Sequence, residues 1–418
     1  MWSVRKAAGS AVVTALVAGG GVVVAAGPAV AGNPLAISVA AWAYTDARHP
    51  AQSYAGQTGA VPVGAWRDAG NVVHRSRAYY SFDLSALAGA TISEATLIVP
   101  ELAANDCATP RTVEVWRTAA FTAPTWAHAP AAEALVDATD GGQGCGTRGS
   151  WDLAAEVTAA LAAGRTTLSL QLRVPQGHER DERYGRSFGT NAGISVQYNR
   201  APNVPANVRI DGRACGAGPL FVTGTQPLVQ VQVSDPDPVP MVGDGTTLQL
   251  AAWPVGDPAQ RTEWGGGFGY GTWTSTTILP GGILTDDGTY ALSGQATDRH
   301  GATSAWSEPC LLVLDRVGPA DAPLVSSATY PAGTASGGPG VPGTFTFDAN
   351  GDTEVTGFMW GTILTGTYAY VPADAPGGTA TITYTPPVAG DVVLVVDSVD
   401  RAGNHSPRAE YGFAVLEP

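Results

Sequence analysis

Six histidines, His49, His74, His128, His178, His300 and His405, are the side chains best suited to acid–base or metal chemistry, and each stands alone along the chain. No H-E-x-x-H, G-x-S-x-G or P-loop pattern accompanies them, so spacing offers no zinc protease, hydrolase elbow or phosphate cradle. Isolated histidines of this kind read as solvated loop residues. The densest charged run is GHERDERYGR, Gly177–Arg186. Arg180, Arg183 and Arg186 carry the planar forks that hold carboxylates or sugar hydroxyls. Charges of both signs nearly cancel within the run, which favours a solvated loop between strands. Acidic residues gather in Ser234–Gly245 and Asp348–Glu354, and hard oxygens in such density raise calcium. Thr353 stands where an EF-hand loop needs glycine, however, and turn formation by Asp, Asn and Gly explains both stretches. No metal or cofactor is expected, calcium being the one ion these loops admit. The 36 acidic residues offer no preferred pair for glycoside hydrolysis.

Aromatic residues are the remaining route to a binding site. Trp66 lies in GAWRDAGN, a turn-like stretch beside Arg67 and Asp68, and is expected to be exposed enough to stack on a sugar ring. Tyr80 and Phe82 share one strand face and read as core. A second cluster is EWGGGFGYGTWTS, Glu263–Ser275, with four aromatics among five glycines. TWTSTTIL reads as a strand and GGGFGYG as the connection before it. Trp264 and Trp273 then sit at the ends of that connection, leaving Phe268 and Tyr270 as exposed candidates for sugar stacking.

The elements that must carry these residues are short strands. The 418 residues are 44% hydrophobic and 14% charged, enough for packed cores. The 53 glycines and 31 prolines punctuate the chain into many turns. A net charge of −14 argues against a nucleic-acid binder, which needs a basic face. Lys6 is the sole lysine. It lies in an N-terminal segment with a basic start, an apolar run from Ala11 to Ala26, and Ala29-Val30-Ala31 before Gly32. This is the pattern of a secretory signal peptide over residues 1–31. Its removal takes Arg5 and Lys6 away and leaves no side-chain amine for Schiff-base or Lys–Asn crosslink chemistry. No membrane attachment is expected after cleavage.

Four cysteines, Cys107, Cys145, Cys215 and Cys310, suit an oxidising compartment. Three pairings are possible, and proximity within segments selects Cys107–Cys145 and Cys215–Cys310. The segments follow from two proline-rich stretches, Tyr198–Asn207 and Asp315–Pro331, read as connectors. They divide the chain into residues 34–200, 203–316 and 319–418.

In the first segment, RAYYSFDLSAL and ATISEATLIVPEL read as strands, with Leu97 and Val99 on one face and Ile98 on the other. DLAAEVTAALAAG is the one helix, with Asp152 as N-cap, Gly164 closing it, and Leu153, Val157 and Leu161 as its buried stripe. AYTD, SYAG, VPVG and the pair RAYYSFDLSAL–GATISEATL, with Trp126, Trp151-Asp152 and SFGTNAGISVQYN beyond, resemble the DNRLRE domain, also classed as a family 96 carbohydrate-binding module. The resemblance implies a jelly-roll β-sandwich on secreted bacterial proteins, with carbohydrate binding in some members. In the second segment, DGTYALSGQATDRHGATSAWS is similar to the last hairpin of a fibronectin type III or immunoglobulin-like module, with Tyr290 as corner tyrosine. AGDVVLVVDSVDRAGNHSP of the third segment aligns loosely with it, Val392 replacing the tyrosine.

The chain therefore reads as a secreted, extracellular, non-enzymatic all-β protein: a jelly-roll sandwich followed by two tandem immunoglobulin/fibronectin-like sandwiches. The expected partner is a polysaccharide or cell-wall glycan bound by the first module, through Trp66, Arg180 and Arg183, with Phe268 and Tyr270 as a second possibility. The alternatives are a structural or adhesive surface protein built of spacer modules and, further off, a hydrolase.

Overall fold

The computed structural model describes residues 32–139, 148–237, 245–285, 287–363 and 366–417. The signal-peptide segment and Cys145 lie outside the described residues. The chain is built almost wholly of strands, with one α-helix described.

The first sandwich begins with β1 (Asn33–Asp46), β2 (Tyr54–Ala55), β3 (Val61–Arg67), β4 (Val73–Asp83) and β5 (Thr91–Ala104). It continues with β6 (Val113–Thr118), β7 (Ala132–Thr139), β8 (Arg148–Asp152), helix α1 (Ala154–Ala162), β9 (Thr167–Arg173), β10 (Arg186–Phe188) and β11 (Gly193–Asn199). Strand β1 is long enough to serve two layers. Its first half pairs antiparallel with β11, and its second half, past an irregularity between Val39 and Ala41, pairs with β4. On its other side β11 pairs with β5, and β10 bridges β5 to β3, so the layers wrap into a jelly roll with few free edges. Period-two alternation fills the space between: Leu97 and Val99 are fully buried while Ile98 is half-buried. Tyr80 and Phe82 are core residues, and the Tyr80 hydroxyl donates to the Gly189 carbonyl at 2.9 Å. Trp151 is buried with its indole N–H on the Val113 carbonyl.

The helix lies where the sequence places it, with Leu153, Val157 and Ala160 buried and Leu161 packed against the core. Its N-cap is Leu153, not Asp152. Asp152 ends β8 one residue earlier, and its carboxylate accepts the Ala154 N–H at 2.8 Å. Burial of Leu153 overrides the capping preference, since a buried leucine contributes about 1.5–3 kcal/mol.

The second sandwich comprises β12 (Ala206–Ile210), β13 (Arg213–Ala214), β14 (Leu220–Val222), β15 (Leu228–Val233), β16 (Gly245–Pro254), β17 (Thr262–Tyr270), β18 (Trp273–Ile278), β19 (Gly288–Asp298) and β20 (Cys310–Leu314). The third comprises β21 (Leu324–Ser326), β22 (Ala335–Ser336), β23 (Gly343–Asp348), β24 (Val355–Thr362), β25 (Tyr368–Pro372), β26 (Thr379–Tyr384), β27 (Gly390–Asp400) and β28 (Ala409–Val415). Their larger sheets have the same topology, β14-β20-β19-β16-β17 and β22-β28-β27-β24-β25, each with one parallel pair at the outset. Both are immunoglobulin-like, and each has its own core. Tyr290 is the corner tyrosine: it is buried, and its hydroxyl accepts the Thr285 N–H at 3.2 Å. Cys215 and Cys310 are disulfide-bonded with their Cα atoms 5.5 Å apart, and Cys107 is also disulfide-bonded.

Two further expectations are corrected. The stretch Asp315–Pro331 is not all connector: Leu324–Ser326 pairs with β23, and Tyr330 is fully buried against Phe345 and Phe413. The glycine-rich GGGFGYG is not a connection either: all of it but Gly271 belongs to strand β17. A bulge there sets Gly266 as an extra residue opposite β16, between pairs Gln249–Gly265 and Leu248–Gly267. The glycines admit close neighbours: the Leu248 side chain over Gly266 and the Trp273 ring over Gly269.

Candidate functional site

The chemistry-bearing residues converge where β1, β3 and β4 end side by side in the first sandwich. Asp46 is the last residue of β1 and pairs with Ser76 of β4, so its side chain is buried at the sheet's end. Its Oδ1 accepts the Arg48 N–H at 3.0 Å, which fixes the carboxylate within a tight turn. Its Oδ2 faces two imidazoles, His49 Nδ1 at 2.9 Å and His74 Nδ1 at 2.7 Å. His74 is buried on β4, and its Nε2 lies 3.2 Å from Asp68 Oδ2. Asp68 is held in turn by the Val72 N–H on Oδ1, in a turn that places Asn71 at positive φ. The indole of Trp66 stacks on the His74 ring at 4.4 Å, and Trp66 Nε1 donates to Ser76 Oγ.

The charges follow from these contacts. Burial of Asp46 favours its neutral form, but the Arg48 amide and the two imidazoles outweigh it and hold the carboxyl below its usual range. Burial likewise opposes protonation of His74, yet hydrogen bonds and charge from Asp46 and Asp68 hold it above the usual imidazole value. The Val72 amide, then His74, lower Asp68.

Trp66 also lines a groove of about 190 Å³ with Tyr44, Pro62, Asn105, Arg186 and Ser187. Asn105 also borders a depression of about 390 Å³ whose other walls are Arg67, Glu182 and Arg183. Asn105 donates to the Ala65 and Glu182 carbonyls and thereby holds the 3-10 turn Glu182–Tyr184 against β3. Arg67 and Glu182 form a two-bond pair at 2.8 and 2.7 Å. The Arg183 guanidinium beside Asp181 pulls that carboxyl down to about 2.

The fold thus brings Trp66 and Arg183 to one surface through Asn105. Trp66 departs from expectation: it lies on β3, not in a turn, and is half-buried by its stacking on His74. Arg186 is no surface residue; it is buried in an ion pair with Glu101 at 2.6 Å. Arg180 is exposed outside this groove. Phe268 and Tyr270 lie in the second sandwich, 55% and 53% exposed, edge to face at 5.0 Å on the outermost strand of their sheet. The acidic stretches serve other ends. Asp237 pairs with Arg200, and Asp348 and Asp352 accept turn amides from Asn350 and Glu354; residues 238–244 lie outside the described residues. The Asp46–His49–His74 cluster escapes sequence reading because 25 residues separate its histidines and only the β1–β4 pairing joins them. The Asp-x-x-His spacing of Asp46-Ala47-Arg48-His49 at a strand end is the trace it leaves in the sequence.

No protein-family model matches the chain, and no curated protein matches it. Among solved structures it is similar to the FN1-FN3 domains of chicken CNTN1, at 10% identity and TM-score 0.33 over 85% of this chain and 99% of that one. It is also similar to the fibronectin(III)-like modules of Clostridium thermocellum CbhA, at 17% identity and TM-score 0.31 over 50% of this chain and 94% of the other. A transglutaminase of red sea bream shares 14% identity at TM-score 0.19, over 51% of this chain and 32% of the enzyme.

Proposed function

We propose that this multi-module β protein is exported and non-catalytic, and that its first module binds a carbohydrate of the extracellular surroundings or cell envelope. The observation that supports the reading is the Trp66 groove. The indole of Trp66, packed on His74, offers a rigid apolar platform, and beside it Arg67 and Glu182, paired with each other, and Arg183, paired with Asp181, present polar groups that a sugar hydroxyl would share or displace. The likeness of the segment to DNRLRE domains points the same way. The N-terminal pattern, with cleavage before Gly32, supports export, and among the described residues no helix is long and apolar enough to cross a membrane.

The test is affinity electrophoresis and a glycan array with the full mature chain, Trp66→Ala, and the double variant Phe268→Ala, Tyr270→Ala. Trp66→Ala is expected to weaken binding about tenfold or more, as removal of a central aromatic contact does, while the double variant binds as the parent. Absence of binding by the parent across a broad panel removes the reading, and loss in the double variant alone moves the site to the second sandwich.

A further inference from the structure

We propose that Asp46, His49 and His74 form a binding site for a divalent transition metal of the zinc class. Three features carry this. The first is ligand spacing: Asp46 Oδ2 lies 2.9 and 2.7 Å from the two imidazole nitrogens, and the three donor atoms lie within 4.8 Å of one another. Ligands about 2.0–2.2 Å from a tetrahedral ion stand roughly 3.4 Å apart, so an ion is accommodated by shifts of a few tenths of an ångström to about 1 Å. Among the described residues no other group of three such side chains gathers in this way.

The second feature is the shell behind the ligands. Metal-bound histidines carry their other N–H on a carboxylate, which fixes the tautomer and the ring. His74 has this arrangement: Nε2 faces Asp68, leaving Nδ1 for the ion, and Trp66 stacking sets the ring plane. Asp46 is fixed through the oxygen that does not face the histidines. The third is access. The His49 side chain is 49% exposed while those of Asp46 and His74 are 2% and 7% exposed, so the site has a buried base and an open side. Two imidazoles and one carboxylate suit zinc and its neighbours better than calcium, which takes oxygen ligands. The ion replaces the protons shared between the imidazoles and Asp46, and its open position goes to water. This site is separate from the sugar groove, although Trp66 touches both.

The experiment is Zn²⁺ titration by calorimetry on the full mature chain, expressed without a histidine tag and stripped with EDTA, with Co²⁺ absorption as a second readout. The parent is expected to bind one equivalent, to gain thermal stability from Zn²⁺, and to show visible Co²⁺ bands from imidazole coordination. His49→Ala, at the exposed ligand, is expected to fold normally, to bind at least tenfold more weakly and to lose the Zn²⁺-dependent gain. Asp68→Asn, which touches no ion, is expected to weaken binding about tenfold. Failure of the stripped parent to take up Zn²⁺, or equal affinity in parent and His49→Ala, overturns the proposal. Sugar binding that persists in His49→Ala separates this site from the groove, and its loss does not rescue a metal-free result.

Discussion

Asp46 and Asp181 show how differently two carboxylates are held in the same module. Asp46 is buried and shared between two rings, whereas Asp181 sits at the surface and owes its low pKa first to hydrogen bonds from Arg183. The folded value of Asp181 lies below the unfolded one, so its contribution to stability is present above the ordinary carboxylate range near 4 and is lost as pH falls toward 2. Carboxyl NMR titration is expected to give a midpoint near 2 for Asp181 in the parent, and a return toward about 4 in Arg183→Gln. An unchanged midpoint in the variant means that Arg183 is free of Asp181 in solution and available to a ligand. Arg183 was readable in the sequence as part of a charged run. Its commitment to Asp181 was not, because the run offers three carboxylates of similar reach, Glu179, Asp181 and Glu182, and only the 3-10 turn selects one.

At the scale of elements, β17 and α1 show local preference yielding to neighbours. Five of the nine β17 residues, Gly265, Gly266, Gly267, Phe268 and Gly269, lie in a tract that alone favours a loop, yet β16 supplies a ladder and Trp273 and Leu248 occupy the space that side chains would fill. Gly267 has φ of +105°, which other residues adopt only under strain. Gly267→Ala is expected to destabilise the second sandwich by about 1–3 kcal/mol. Chemical denaturation followed by Trp264 and Trp273 fluorescence is the check, and an unshifted midpoint means that the bulge relaxes at no cost. Strands with plain alternation, such as β5, were legible because burial of one face repeats every second residue. A strand made of glycine has no such pattern to show.

In the whole molecule, consecutive sandwiches meet through a repeated device. The β19–β20 loop closes on Asp298, whose Oδ1 accepts the His300 and Ala302 amides while Oδ2 takes Asn199 Nδ2 of the preceding module at 2.7 Å. The matching loop of the third sandwich closes on Asp400, and its Asn404 donates to the Asp315 carbonyl at 2.9 Å. At the first joint the buried Asp237 also binds Arg200 at 2.7 Å and Asn33 at 3.2 Å, and Arg200 reaches back to the Ala88 carbonyl. Such joints tie each module to the next through charged and amide hydrogen bonds. Asp237→Ala is expected to cost about 1.5–3 kcal/mol, the range for hydrogen bonds to a charged group. In scanning calorimetry the first two modules are expected to unfold earlier while the third is unmoved. If all transitions stay in place, the joint carries no stability.

The sequence by itself determined what depends on neighbours along the chain: an all-β architecture from turn punctuation and alternation, the helix α1, the corner Tyr290, and the pairing of Cys215 with Cys310 inside one segment. Tertiary structure decided what depends on strands meeting. It brought His49 and His74 onto Asp46, set Trp66 between that cluster and the groove, buried Arg186 and Tyr330, and turned a glycine tract into an edge strand. The reason is that β pairing joins residues with no fixed separation in sequence. A side chain's chemistry is written in its type, but its partners are set by register, and register is settled only when two strands and their buried faces come together.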